Sequence, residues 1–159
     1  MDQIKKLQPK DASAYRAIRL ESLLTFPNSF CSVYEEQKEK EKLGFEKDIE
    51  QGLNHKFVIG AFHNSNLIGI CAFFQYPDNP KAGELVQMYV QNNYQGQGMG
   101  LQLINELLAE AKKVPTIETV FLEVRYGIDN ALHLYKKAGF SPINQPKSED
   151  EDYKMSISI

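Results

Sequence analysis

Apolar positions along this chain fall into short period-two runs and longer runs spaced by three and four. Residues 4–7 open it as a brief strand. Ala17, Leu20 and Leu24 share one helical face, Asp11 stands where a cap belongs, and Phe26-Pro27-Asn28 breaks the pattern. Residues 35–53 form a second, heavily charged helical region with Phe45, Ile49 and Leu53 as its contact face; Gly44 either bends it or divides it in two. The charge run at 35–42 mixes both signs and reads as a solvated face. Strands are predicted at 57–62 and 67–76, joined by the turn His63-Asn64-Ser65-Asn66. A loop over 76–83, with Pro77 and Pro80, leads into the alternating strand Glu84-Leu85-Val86-Gln87-Met88-Tyr89-Val90. From Met99 onward Leu101, Ile104, Leu107, Leu108 and Ala111 line one face of a helix. A strand at 116–124, a helix at 129–138, a short strand near 140–143 and a polar loop at 144–151 follow. Tyr153, Met155, Ile157 and Ile159 then alternate as a last strand. The order β-α-α-β-β-β-α-β-α-β-β implies a mixed α/β (α+β) sheet, with no internal repeat or linker.

The stretch Gln95-Gly96-Gln97-Gly98-Met99-Gly100 sits between a strand and a helix. A glycine loop there leaves amide N–H groups uncovered at a helix N-terminus, where the dipole favours an anion and missing side chains admit phosphate oxygens. Leu101-Gln102 stands where a P-loop needs lysine and serine or threonine, which removes that reading. Glycines at alternate positions beyond mid-chain also do not fit a dinucleotide-binding fingerprint.

A second segment, Asn130-Ala131-Leu132-His133-Leu134-Tyr135-Lys136-Lys137-Ala138-Gly139-Phe140, is a short helix ended by glycine. Together the two segments resemble the GNAT superfamily of N-acetyltransferases. The family's Gln/Arg-x-x-Gly-x-Gly/Ala loop is matched by Gln95, Gly98 and Gly100, and its Ala-x-x-Leu-Tyr-x-x-x-Gly-Phe signature by Ala131, Leu134, Tyr135, Gly139 and Phe140. The resemblance implies a mixed sheet of about six to seven strands with a splayed parallel pair, flanked by about four helices. It implies acetyl-CoA as co-substrate, held by Gln95, Gly96, Gln97, Gly98, Met99, Gly100 and Leu101, with main-chain groups of Met88, Tyr89 and Val90 at the acetyl and pantetheine end. Tyr135 matches the donor of a proton to the leaving thiolate; a phenol near pKa ~10 is protonated at neutral pH and a thiol ionises near ~8.5. Glu123 and Glu84 are the candidate bases. The family's pantetheine-binding asparagine position is Ile128 here, and Asn130 either serves from a shifted place or caps the helix. By the same resemblance the amine acceptor, small molecule or peptide, enters between 26–34 and 75–83, where Phe30, Tyr34 and Tyr76 are candidate lining residues. Glu35 and Glu36 either attract a cationic amine or are a solvated helix start. The reading is direct acetyl transfer in a ternary complex; the rival is a silent GNAT-fold module that binds acyl-CoA.

At 159 residues and 18.1 kDa the chain is expected to be a single domain, 1–159, and 42% hydrophobic residues suit a packed core. A net charge of −3 offers no field for nucleic acid. No apolar run reaches bilayer length and Met1-Asp2-Gln3-Ile4-Lys5-Lys6 lacks a signal peptide's apolar stretch, so a cytoplasmic protein without membrane partners is expected. Cys31 and Cys71, with His55, His63 and His133, match no zinc spacing, so no metal is expected, and Cys71 reads as a buried hydrophobe. The family resemblance implies pairing through strand edges and the final strand, and with the apolar edge Ile157-Ser158-Ile159 it leads to the expectation of a homodimer.

Overall fold

The computed structural model describes residues 2–30, 32–148 and 150–159; Cys31 lies outside them. Strands β1 (Asp2–Lys6), β2 (Lys56–His63), β3 (Asn66–Tyr76) and β4 (Asn79–Val90) form an antiparallel meander. β4 then pairs in parallel with β5 (Thr119–Arg125). β7 (Asp152–Ser158) lies antiparallel to β5, and the two-residue β6 (Ser141–Pro142) covers part of its far edge, giving the order β1-β2-β3-β4-β5-β7-β6.

Helices cover both faces, as the alternating side chains of the central strands require. On one face α1 (Ala12–Thr25) and α3 (Gly44–Gln51) enclose Tyr15, Ile18 and Ile49 against Val58, Ile70, Ala72 and Tyr89. On the other, α4 (Met99–Ala111) and α5 (Asp129–Lys137) bury Leu103, Ile104, Leu107 and Tyr135 over Ile59, Cys71, Phe73 and Leu85. Cys71 is fully buried and its thiol donates only weakly, to the Leu103 carbonyl at 3.4 Å. The hairpin between β2 and β3 turns on Asn64 and Ser65, with φ of 50° and 72°, the left-handed pair that a two-residue turn needs.

Three expectations are corrected and one open alternative is decided. The buried face of α1 is Ala12, Tyr15, Ile18, Arg19, Ser22 and Leu23, whereas Ala17 and Leu24 face outward. Hydrophobicity alone misplaced that face because the true one includes Arg19 and Ser22. Asp11 precedes α1 without capping it; its Oδ2 accepts from the Gln8 N–H at 2.8 Å. The region 35–53 is divided rather than bent: α2 (Tyr34–Lys38) stops and α3 restarts at Gly44. Arg16 on α1 draws the interruption inward, donating to the carbonyls of Lys38, Lys40 and Glu41 and to Glu46 Oε1. Backbone acceptors freed at a helix end need such donors. Finally, 76–83 is mostly strand. β4 begins at Asn79 and only Pro77 and Asp78 lie between it and β3. Pro80 is accommodated where the register shifts between Gln75 and Tyr76, since a bulge asks for no ladder N–H.

Candidate active site

β4 is interrupted at its centre. Val86 lies opposite Ala72 and Tyr89 opposite Ile70, so Gln87 and Met88 together face Cys71 alone. Gln87 takes a left-handed φ of 59°, which a non-glycine residue holds only when its surroundings enforce it. Here the buried Tyr15 hydroxyl donates to Gln87 Oε1 at 2.7 Å. A bulge increases the local twist and bends its strand. β4 pairs with β5 only through Ala82, Gly83 and Glu84, opposite Thr119, Val120 and Phe121. Past that point the strands part, β5 continues against β7, and a cleft of about 960 Å³ opens.

The loop after β4 forms one wall of the cleft. Gly96 and Gly98 have φ of 77° and 79°, and an added Cβ at either would meet nothing within 4 Å. They serve backbone conformation and leave the space above them clear. Gly98 precedes the first turn of α4 and no side chain caps it; the first backbone bond across the junction is Gln102 N–H to the Gly98 carbonyl, at 3.2 Å. The N–H groups of Met99, Gly100 and Leu101 therefore stand at a positive helix end without intrahelical partners. Gly100 has a packing role as well, since a Cβ there would come within 3.0 Å of Leu134 Cδ2 on α5. Gln95 turns its side-chain amide back to the Val90 carbonyl at 2.8 Å, and Gln97 reaches Asn93 O at 3.3 Å, so both side chains brace the loop.

Of the residues singled out in the sequence, Glu84, Met88, Tyr89, Val90, Gln95, Gly96, Gly98, Met99, Gly100, Leu101, Glu123, Asn130 and Tyr135 all border the cleft; Gln97 does not. Ile128, not Asn130, is the capping residue of α5, and Asn130 lies in the first turn without a side-chain capping bond.

Tyr135 is 7% exposed, packed edge-on against Phe140 with centroids 6.0 Å apart. Burial first, then the nearby Cys71, raises its pKa above the ordinary phenol value. Its hydroxyl makes no hydrogen bond among the described residues, which leaves the proton available to the cleft. The two carboxylates differ. Glu84 is half-buried on β4 and accepts from the Tyr76 hydroxyl at 2.7 Å. Burial raises its pKa, the Tyr76 hydrogen bond opposes that rise, and the charge of Glu123 adds to it. Glu123 is exposed at the β5 side.

The far end of the cleft is lined by Arg19, Phe26, Ser29, Phe30 and Ser32. Phe30 is where the sequence suggested. Tyr34 and Tyr76 are not among the lining residues; Tyr34 instead lies under Lys38 Nζ at 5.4 Å, and Tyr76 acts through Glu84. The sequence reading missed Arg19, Gln87 and Tyr15. For the two α1 residues the one available signal was the spacing 15-19-22 with Ile18, a polar-bearing stripe of the kind that a buried helix face shows, and for Gln87 there was none. Among the described residues no three His, Cys, Asp or Glu side chains gather as metal ligands, and no helix is long and apolar enough to cross a membrane.

The sequence model of the acetyltransferase (GNAT) family matches residues 18–140. An N-alpha-acetyltransferase RimI of Mycobacterium tuberculosis is 32% identical over 100 residues, 62% of this chain and 60% of that protein. A spermidine N(1)-acetyltransferase of Vibrio cholerae is 28% identical over 111 residues, 70% of this chain and 62% of that protein. The chain thus spans less than two thirds of the length of these curated relatives. Among solved structures, the PaiA N-acetyltransferase of Thermoplasma acidophilum in complex with coenzyme A superposes with a TM-score of 0.78 at 23% identity, covering 100% of this chain and 99% of that one. The family match runs from α1 through the glycine-capped α4 to Phe140, and so takes in the bulged strand, the parted parallel pair and the tyrosine of α5: this chain belongs to the acetyltransferase (GNAT) family.

Proposed function

We propose that the protein is an acetyl-CoA-dependent N-acetyltransferase that delivers the acetyl group to a primary amine by direct transfer in a ternary complex. The observation that carries this reading is the opening of β4 from β5 beneath an uncapped helix N-terminus. The residues present fit the co-substrate. The amides of Met99, Gly100 and Leu101, unbonded among the described residues, and the clear space over Gly96 and Gly98 suit a pyrophosphate. The parted strand edge of Met88, Tyr89 and Val90 offers main-chain groups to an extended pantetheine arm and a donor to the thioester carbonyl. The coenzyme A complex of the Thermoplasma relative and the names of the curated relatives support the same assignment.

Acetyl-CoA supplies the activated acetyl group. Glu84, whose burial makes it a stronger base than an exposed carboxylate, takes a proton from the acceptor amine, directly or through water. The nitrogen bonds the carbonyl carbon, the carbon–sulfur bond breaks, and the Tyr135 hydroxyl meets the departing sulfur. Tyr135 remains protonated throughout the working pH range, so it is a standing donor at that position. Cys71, sealed beneath α4, has no access to carry the acetyl group covalently, which favours direct transfer.

Isothermal titration with acetyl-CoA, followed by thiol release over a panel of amino acids, polyamines, aminoglycosides and N-terminal peptides, tests this function. Binding together with amine-dependent thiol release supports it. Binding with silence across the panel would return the acyl-CoA-binding module instead, and no binding would sink both.

We also propose a homodimer through the open end of β7. Among the described residues, β6 and the adjoining 143–144 segment cover β7 only over 152–156, leaving the outer edge of Ile157, Ser158 and Ile159 unpaired. The opposite sheet edge, β1, carries Lys5 and Lys6, which discourage strand addition.

A further inference from the structure

The sheet-facing side of α1 carries a charge that the described chain leaves uncompensated. Arg19 is 5% exposed, yet it appears in no ion pair among the described residues. Its guanidinium carbon sits 4.7 Å from the centroid of the Phe30 ring, and among the described residues Nη1 makes its one hydrogen bond, to Ser22 Oγ at 3.4 Å. A guanidinium has five N–H donors, so most of this one's are unused. Arg16, one turn earlier on the same helix, shows how the fold treats a structural arginine: both its terminal nitrogens are engaged, by Glu46 at 3.0 Å and by three backbone carbonyls. A buried cation without a counter-charge is costly unless a ligand completes it.

Arg19 lies in the wall of the cleft. It projects from the α1 and α3 face of the sheet, whereas the glycine loop caps α4 on the opposite face. Its anion is therefore not the pyrophosphate expected at α4 but belongs to the second molecule, entering from the α1 side. Stacking on Phe30 leaves the planar edge of the fork free, the geometry that takes a carboxylate through two parallel hydrogen bonds. The hydroxyls of Ser29 and Ser32 line the same cleft and supply neutral donors beside a single charge.

We propose that Arg19 receives the carboxylate of the acceptor, so that the substrate class is a primary amine that also bears a carboxylate. The inference rests on the acetyltransferase reading above. A polyamine, with no anionic group, meets a like charge at Arg19 and is disfavoured.

Matched amines test it at saturating acetyl-CoA. Leucine and phenylalanine are compared with their carboxamides, and a C-terminally amidated Ala-Glu-Ala peptide with its Ala-Gln-Ala counterpart, which separates an α-carboxylate from an acidic side chain as the source. One acid is expected to exceed its neutral partner by about 10- to 100-fold in kcat/KM, chiefly through KM, the scale of charged hydrogen bonds. Arg19→Gln should abolish that preference while acetyl-CoA affinity, measured by calorimetry, stays unchanged. Equal use of acid and amide by the wild type, a preference that survives Arg19→Gln, or spermidine outperforming every acid would overturn the proposal. The same pairs titrated into the protein with unreactive coenzyme A read Arg19 without turnover. Acid-selective binding there, lost in Arg19→Gln, supports the site even if no amine is acetylated, whereas absence of selectivity refutes it. Should Arg19→Gln fail to fold, Arg19→Lys keeps the charge without the fork and is expected to weaken acid selectivity; full selectivity in it would refute the fork.

Discussion

At the scale of single residues, two side chains on the cleft wall make opposite demands on the fold. Glu84 is held half-buried, with its pKa raised mainly by lost solvation. A carboxyl with a folded pKa above its unfolded value favours the folded state when protonated, and that contribution is lost as pH rises through the acidic range toward the raised folded pKa. Ionising Glu84 therefore carries a cost in the folded protein, which is what a useful base requires. Glu84→Gln keeps an acceptor for the Tyr76 hydroxyl and removes the charge. It should lower turnover by about 10²- to 10⁴-fold while the thermal midpoint at pH 7.5 holds or rises; a lowered midpoint would mean that Glu84 is a structural partner. In the wild type, kcat/KM should fall as pH drops through the raised pKa of Glu84. Tyr135→Phe retains the ring packing against Phe140 and removes the donor. Turnover should fall on the order of 10²-fold with little change in acetyl-CoA affinity. Equal turnover in the two proteins, with chemistry shown to limit the rate, would assign the leaving sulfur's proton to water.

At the scale of elements, the decisive junction is β4 into α4. Gly98 needs a left-handed φ of 79° and leaves the space above it open. Gly98→Val should strain the backbone by about 1–2 kcal/mol and reduce acetyl-CoA affinity by roughly 10- to 100-fold, the equivalent of one charge-assisted hydrogen bond. Unchanged affinity in a folded variant, measured by titration calorimetry, would remove the loop from the binding site. This junction was legible in the sequence because glycine and helix periodicity are local signals. The bulge at Gln87 and Met88 was not, although it is what parts β4 from β5. Its residues alternate as an ordinary strand would, and the conformation of Gln87 is enforced by Tyr15, 72 positions away in the chain. The division of 35–53 at Gly44 was foreseen only as one of two options, since Arg16 of α1 decides it.

At the scale of the whole molecule, both sheet edges are managed, but unequally. β1 presents lysines, whereas the end of β7 beyond β6 has a backbone edge without a strand partner among the described residues, with Ile157 and Ile159 partly buried beside it. Sedimentation at micromolar concentration should find a species of twice 18.1 kDa, and Ile157→Lys should shift it to the monomer; a wild-type monomer throughout would refute pairing at this edge. The cleft is lined from both faces of the sheet, by the loop before α4 on one side and Arg19 of α1 on the other.

By itself the sequence determined the order of the strands and of the helices after them, the glycine-capped helix, the tyrosine of α5 and the family they resemble, because each rests on neighbours within a turn or a strand. Only the tertiary structure decided which face of α1 is buried, that Glu84 rather than Glu123 is the desolvated carboxylate, and that a cleft separates β4 from β5. Those outcomes depend on packing between segments distant in the chain. Periodicity ranks Arg19 and Ser22 as surface residues, and nothing short of the assembled sheet reveals that they are inside.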